Sequence, residues 1–363
     1  MSSYRCDGEK GCQVEGDQKL LVLGVTADCN LRCEYCYACG GDKKTHMSWQ
    51  VARRALDLMI EQSGRFKIQF TGGEPLLNLD LIDKVLLYLE DGGVDARCQV
   101  QTNATLINAE MAERLKNLKI GVGVSLDGLA GSGGRLRPFA DGGESARAAV
   151  EGIKSLGDVG IRVGITSVLT SSNVMELSSL VELASYLGNV EGITLDLLRP
   201  VGRADGDMAP DPDLAARCLD EAIERAEMVS RIGGRRVEFR ELKRMERVLS
   251  TGRARRHHCY FDACQSLVVT PGGGVYSCPS LLLPEFRLGD VMDPRIGDHL
   301  LDEMLRTREI IKQPSRCRRC PDGWLCGGPC PAYGFAMKGN VRLECAVKDV
   351  FMRHARKAAG RHN

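Results

Sequence analysis

The sequence has almost no net charge, with 49 Lys and Arg against 48 Asp and Glu leaving a formal +1. No global field draws such a chain to nucleic acid or to an anionic membrane, so neither is expected as a partner. Long apolar runs are missing as well. No segment approaches a membrane span, and residues 1–18 are polar, without the apolar centre of a secretory signal. A cytoplasmic location is therefore expected. There is no internal repeat and no low-complexity tract.

What the chain has in excess is cysteine. Sixteen in 363 residues are more than packing needs, and in a reducing compartment they are not expected to pair as disulfides. Metal binding is the better reading. Cys-only sets serve both zinc and iron–sulfur clusters, and the spacings favour clusters. With 43% hydrophobic residues the chain can bury a sizeable core, and its length allows two domains.

From residue 20 onward, short apolar segments alternate with helical patterns. Strands are expected at Leu20–Thr26, Lys67–Thr71, Ala96–Thr102, Ile120–Ser125, Ile161–Leu169 and Gly192–Leu198, each rich in Val, Ile or Leu. Between and after them, Ser48–Gln62, Leu79–Leu89, Ala109–Leu118, Glu144–Leu156, Val174–Leu187 and Asp213–Ser230 read as helices. In the first helix Val51, Ala55, Leu58 and Met59 share a face and Ser48 is placed to cap. Six βα units in series imply an α/β fold with a parallel sheet, curved into a partial (β/α)6 barrel of the TIM type that leaves a wide opening. From Arg231 to Arg256 ten basic residues face three acidic ones, and after that Cys, Gly and Pro dominate. The expected layout is a polar leader at 1–18, the barrel at 19–230, a basic linker at 231–258, and a small irregular Cys-rich domain at 259–363. The basic run reads either as a solvated helix face or as a dock for an acidic partner.

The chemistry centres on Cys29, Cys33 and Cys36, spaced C-x₃-C-x₂-C three residues past the first strand. Three thiolates can hold three corners of a cluster, but saturation by protein takes four. One metal position is left open, as at catalytic rather than structural centres. In barrels the chemistry lies at the C-terminal ends of strands. The second strand ends in Gly72-Gly73-Glu74-Pro75, where two glycines let the backbone approach a ligand and Glu74 can accept from an amine. The third ends Gln101-Thr102-Asn103 and the fourth Ser125-Leu126-Asp127-Gly128, so polar groups gather on the same rim.

On these residues the sequence resembles the radical S-adenosylmethionine (radical SAM) superfamily. The cysteine loop, with Tyr35 before its last cysteine, is similar to that superfamily's cluster loop, and Gly72–Pro75 to its motif for the methionine amino group. The resemblance implies a [4Fe-4S] cluster whose open iron takes S-adenosyl-L-methionine. Reductive cleavage then gives a 5′-deoxyadenosyl radical that abstracts a substrate hydrogen. It also implies that Asn103, Ser125 and Arg137 hold ribose and carboxylate, and that Tyr37 and Leu195 flank adenine. Leu195 reads equally well as core, and for Asn103 and Ser125 turn capping is the lesser alternative.

The C-terminal region continues the theme with Cys259-x₄-Cys264-x₁₃-Cys278, then Cys317-x₂-Cys320-x₅-Cys326-x₃-Cys330, and finally Cys345. Together with Gly273, this run resembles the SPASM extension of radical SAM enzymes. The resemblance implies two further [4Fe-4S] clusters, three in all. A nearer one would sit on Cys259, Cys264, Cys278 and Cys330, and an outer one on Cys317, Cys320, Cys326 and Cys345. Both sets look saturated, which suits electron transfer: an oxidation begun by losing a hydrogen atom needs a sink for the second electron. Arg316, Arg318 and Arg319 either offset thiolate charge or mark where a flavodoxin or ferredoxin docks. His257 and His258 keep a zinc site open. Cys6, Cys12, Cys39, Cys98 and Cys218 have no place in the scheme, and Cys98 and Cys218 read as packing residues.

SPASM-bearing enzymes mostly act on peptides or proteins, so the expected function is a peptide-modifying oxidoreductase forming a crosslink, thioether or similar product. Anaerobic sulfatase-maturing enzymes are the alternative. They carry an Asp directly after the third cysteine of the nearer set, where this chain has Pro279. The eight later cysteines argue against the shortened extension of small-molecule alcohol dehydrogenases. Tyr260, Asp262, Tyr276 and Tyr333 are candidates for proton or electron management. With only 18 residues ahead of the first strand, a leader peptide is expected to be held by a separate protein or by the barrel and its basic linker. A rival of another class is a noncatalytic iron–sulfur electron-transfer protein, which would have no use for the amine-binding motif at Gly72–Pro75.

Overall fold

A computed structural model describes residues 19–129, 135–234, 236–312 and 314–360. Cys6, Cys12 and the side chain of Arg318 lie outside the described set. Six strands form where β-branched and aliphatic residues alternate or cluster. They are β1 (Leu20–Thr26), β2 (Arg65–Gly72), β3 (Asp95–Thr102), β4 (Gly121–Ser125), β5 (Val163–Leu169) and β6 (Val190–Leu197). Each neighbouring pair is parallel, which needs a crossover between strands. The crossovers carry α1 (Trp49–Gln62), α2 (Leu79–Asp91), α3 (Ala109–Asn117), α4 (Ala146–Asp158) and α5 (Leu177–Leu187), and α6 (Pro212–Gly233) follows β6.

Local signals explain the boundaries. The Ser48 side chain accepts from the Val51 amide and caps α1, while Asn108 caps α3 through Met111. In α6, Pro212 occupies the first turn behind Asp211, and Gly234 closes the helix with φ of +65°. Ala52, Ala55, Leu56, Leu58 and Met59 are the buried stripe of α1, and Val51 lies at its half-buried margin. Along β2 the alternation sends Phe66, Ile68 and Phe70 to the helix side and leaves Lys67, Gln69 and Thr71 on the other face.

The sheet does not stop at six strands. Its order is β10-β9-β8-β1-β2-β3-β4-β5-β6-β7. Beyond β6 lies the short β7 (Glu238–Phe239), inside the segment expected as a linker. On the other flank β8 (Ser266–Val269) pairs in parallel with β1, and β9 (Gly274–Tyr276) and β10 (Gly289–Asp290) follow antiparallel. The cysteine-rich region, expected to be irregular, thus adds three strands to the same sheet. The basic run forms α7 (Arg240–Thr251), and much of its charge is neutralised at home: Arg236 and Lys243 pair with Glu238, and Arg244 and Arg255 with Glu241. Helices α8 (Ile296–Ile310) and α9 (Arg342–Gly360) complete the chain, α9 packing on α6 and α7. Among the described residues no helix is long and apolar enough to cross a membrane.

Candidate functional site

One cleft of about 290 Å³ is lined by residues from every strand end between β1 and β6. A flat sheet cannot offer side chains from all its strands to one cavity, so the sheet curls around it. The floor is polar: Gln69, Gln101, Ser125 and Thr166 line it, and Gln101 donates to Ser125 Oγ at 3.0 Å.

Cys29, Cys33 and Cys36 form one wall, on a loop whose shape is fixed by its own backbone. Arg32 reaches back to the carbonyls of Cys29, Leu31 and Gly41 at 2.7–2.9 Å. The Arg32 amide donates to Pro138 O and the Glu34 amide to Leu136 O, which lays the 136–139 segment over the cysteines. The GGEP segment is pinned from the other side, Gly73 N to Thr26 O and Glu74 N to Asp28 O, both at 2.8 Å. A methyl group on Gly73 would lie 2.0 Å from Asp28 O, and one on Gly72, where φ is +140°, 2.1 Å from Thr26 O. Only glycine permits this approach of β2 to the cysteine loop.

Glu74 is fully buried, with Oε1 accepting from Thr102 Oγ1 at 2.6 Å and Leu76 N at 3.2 Å, and Oε2 from Asn103 N at 2.8 Å. Burial pushes its carboxyl up to about 7 in spite of these donors. Gly72, Gly73, Thr102 and Asn103 face the cleft and Glu74 stands behind them with Pro75, shaping the wall. Asn103 spends its amide on the turn, donating to Asn30 Oδ1 at 2.9 Å and accepting from Thr105. Arg137 donates from Nε to Asp127 at 2.7 Å, lies over the Tyr35 ring, and points Nη1 at Cys33 Sγ, 4.0 Å away. Asp127 also accepts from Tyr35 Oη and from Val168 N. Burial opposes the charge on Arg137, and Asp127, Tyr35 and Cys33 together outweigh it, so the guanidinium stays cationic.

Tyr35, Tyr37, Ser125 and Arg137 all line the cleft with the three cysteines. Leu195 does not. It lines an adjoining cavity with Tyr333, Val347 and Phe351, which Asp196, Leu197 and Arg199 also border; Leu197 and Leu198 are the apolar residues of β6 and its end that line the cleft. The lining also includes Pro279 and Ser280, directly after Cys278. Asp196, with its partner Arg199, also lines the cleft and was missed in the sequence, where an Asp on an apolar strand carries no motif.

The later cysteines group in space as two sets. The charge of Cys330 acts on Cys259 and Cys278, and that of Cys259 on Cys278; separately Cys320 acts on Cys317, and Cys317 and Cys326 act on Cys345. Cys264 is buried in the main core, with φ of +51°. Burial pushes the thiols of Cys29 and Cys278 up to about 12 and that of Cys259 to about 11. Such thiols ionise at neutral pH only beside a compensating cation, which ligated iron provides. The three clusters of thiols therefore suit metal. Among the described residues no three His, Cys, Asp or Glu groups converge on a single ion; a cubane spreads its thiolates over a wider frame. His258 Nδ1 lies 3.1 Å from Gly328 O and 3.2 Å from Lys348 Nζ. Cys98 is raised to about 11 by burial alone, as a packing residue would be.

Comparison with known proteins agrees with this geometry. The model of the "Radical SAM superfamily" matches residues 23–184. An uncharacterized protein of Methanocaldococcus jannaschii is 35% identical over 265 residues, 72% of this chain and 85% of that one. The mycofactocin maturase of Mycobacterium tuberculosis is 25% identical, covering 87% of this chain and 78% of its own. The cysteine-type anaerobic sulfatase-maturating enzyme of Clostridium perfringens is 23% identical, covering 86% and 88%. Relatives named as haem or haem-precursor synthases are 29–31% identical over 47–57% of this chain. Among solved structures, anSMEcpe with bound AdoMet and a Cp18Cys peptide superposes with a TM-score of 0.74 at 20% identity, covering 94% of this chain and 99% of that one. Streptococcus suis SuiB bound to its precursor peptide SuiA gives 0.61 at 18% identity, covering 86% and 71%. The open α/β sheet, the cysteine loop at its rim and these matches lead to one assignment: this chain is an enzyme of the radical SAM superfamily.

Proposed function

We propose that the chain is a three-cluster radical SAM oxidoreductase with a SPASM-type C-terminal region, acting on a side chain of a peptide or protein. The observation that carries this reading is the cleft itself, whose lining joins Cys29, Cys33 and Cys36 to the Pro279–Ser280 segment beside Cys278. Bound S-adenosylmethionine supplies a hydrogen-abstracting radical when reduced at the first cluster. The residues around it fit such a ligand. Gly72 and Gly73 leave backbone room for it, the polar edge at Thr102 and Asn103 faces it, and Arg137, which lines the cleft with Nε on Asp127 and Nη1 toward Cys33, has Nη2 left for a carboxylate. The curled sheet and the wall from Tyr35 to Gly40 shelter the reacting atoms from water.

Net two-electron oxidation also releases a proton. Asp196 is the one carboxylate among the described residues lining the cleft, and it is placed to take that proton. A cluster held by Cys278 and Cys330 with Cys259 and Cys264 would supply the acceptor for the second electron. The Tyr37 hydroxyl feels the charges of both Cys36 and Cys278. A small acidic carrier, a flavodoxin or ferredoxin, is the expected reductant.

The superposition with a peptide-bound sulfatase-maturing structure supports formylglycine formation as a second reading, although the position beside Cys278 holds Pro279 in place of a base. One experiment separates them. The anaerobically reconstituted enzyme, with reductant and S-adenosylmethionine, is offered a Cys-containing sulfatase peptide and, separately, any short peptide encoded beside its gene. Loss of two hydrogens from the second with no hydrazide-reactive aldehyde in the first supports peptide crosslinking. An aldehyde in the first supports sulfatase maturation, and unchanged peptides with ongoing 5′-deoxyadenosine release overturn both.

A further inference from the structure

Arg199 stands between the cleft and the nearer auxiliary set, two residues past the end of β6. The chain around it is fixed. Val201 N donates to Arg199 O, Gly202 turns with φ of +68°, and Arg203 N donates to Cys36 O at 3.1 Å. A methyl group at Gly202 would lie 2.3 Å from that same carbonyl, so the loop is wedged against the first cysteine set.

From this anchor the guanidinium reaches two anions at once. Nη1 and Nη2 donate to the two carboxylate oxygens of Asp196 at 3.0 and 2.8 Å, and Nη2 also faces Cys330 Sγ at 3.8 Å. Its Nε is buried without a partner. Burial works against the charge, and Asp196, Cys330 and Cys278 together outweigh it. Asp196 is 40% exposed and lines the cleft, while Arg199 is only 14% exposed. The other charges at Cys330 are turned elsewhere. Glu344 accepts from the Cys330 amide and is neutralised by Lys348 at 2.9 Å, and neither lines the cleft.

A cation shared by two anions divides its field between them, and a hydrogen-bond donor at a cluster sulfur is a lever on reduction potential. Whatever engages Asp196 in the cleft loosens its hold on Arg199 and turns more of the charge on Cys330. We propose that Arg199 is a positioning residue that couples occupancy of the cleft to the reduction potential of the nearer auxiliary cluster, making that cluster a better electron acceptor once Asp196 is engaged. The proposal rests on the assignment of Cys259, Cys264, Cys278 and Cys330 to a cluster.

The test needs no substrate. In full-length protein carrying Cys29, Cys33 and Cys36 as Ala, only the auxiliary clusters remain, and their midpoints are read by redox titration with electron paramagnetic resonance. Arg199→Met is expected to shift one of the two midpoints negative, Arg199→Lys to restore most of that shift, and Asp196→Asn to move the same midpoint positive. The outer cluster stays where it was. Opposite signs for the two neutralising variants are the signature, since a general loosening of the fold would move both the same way. Midpoints that do not move, or that move together, overturn the coupling. An iron content well below about eight per chain in the triple-Ala background overturns the two-cluster assignment and the proposal with it.

Discussion

Replacing Asp127 with Ala tests whether the first cysteine loop is held by a buried charge network. The carboxylate is fully buried and receives Arg137 Nε at 2.7 Å, Val168 N at 2.8 Å and the Tyr35 hydroxyl. Arg137 is 12% exposed, so removing its anion strands a cation in a poorly solvated place. Stranding one member of a buried pair costs about 3–5 kcal/mol. The whole fold is stable by about 5–15 kcal/mol, so the variant should lose about a fifth or more of the total. Arg137→Met leaves the opposite charge stranded, while the double variant strands neither. Its loss should therefore fall below the sum of the single losses by about 0.5–3 kcal/mol. Urea unfolding of the metal-free proteins by circular dichroism gives the three values. Iron release from the reconstituted forms should quicken in step, because Arg137 also faces Cys33. A loss under about 1 kcal/mol for Asp127→Ala, or strict additivity, would refute the network.

Further outcomes can be checked independently. The reconstituted wild type should hold about twelve irons, and Cys29, Cys33 and Cys36 together as Ala should lose about four of them with all 5′-deoxyadenosine release. Gly73→Ala places a methyl 2.0 Å from Asp28 O and should displace the cysteine loop, seen as loss of the same four irons with the auxiliary signals kept. Glu74 titrates near 7 when folded and near 4.5 otherwise, so the native protein binds its proton more tightly. That stabilisation is complete below about pH 4.5 and is lost as pH rises through 7. Over that span the metal-free wild type should lose up to ~3 kcal/mol relative to Glu74→Gln, measured as the change in their urea difference between pH 5 and pH 8.

The parallel core was legible because its signals are local. Each strand carried its own apolar pattern, Ser48 and the glycines marked ends, and the spacing of Cys29, Cys33 and Cys36 placed them at a strand terminus. Where pairing decides, the sequence was silent. Ser266–Val269 is four residues long among Cys, Gly and Pro, and its pairing with the free flank of β1 and with β9 makes it a strand. Nothing in the apolar pattern of β6 tells Leu195, which lines the neighbouring cavity, from Leu197, which lines both that cavity and the cleft. The Tyr35–Asp127–Arg137 cluster joins positions up to 102 apart in sequence, and no periodicity links them. Asp196 and Arg199 gained meaning only when Cys330 was found beside them.

The pairing of β8 with β1 has a consequence for anyone dividing this protein. Leu20 lies opposite Ser266 and Leu23 opposite Val269, so the strand that leads into Cys29 has sheet neighbours on both flanks. A chain cut at the expected boundary near 258 would expose one flank of β1 as a row of unpaired amides and carbonyls between Leu21, Leu23 and Val25, all buried in the intact protein. An uncovered edge of that kind recruits strands from other molecules. The isolated N-terminal part is therefore expected to aggregate, and the cysteine-rich region serves, besides any redox duty, as the lid that keeps the first strand from polymerising.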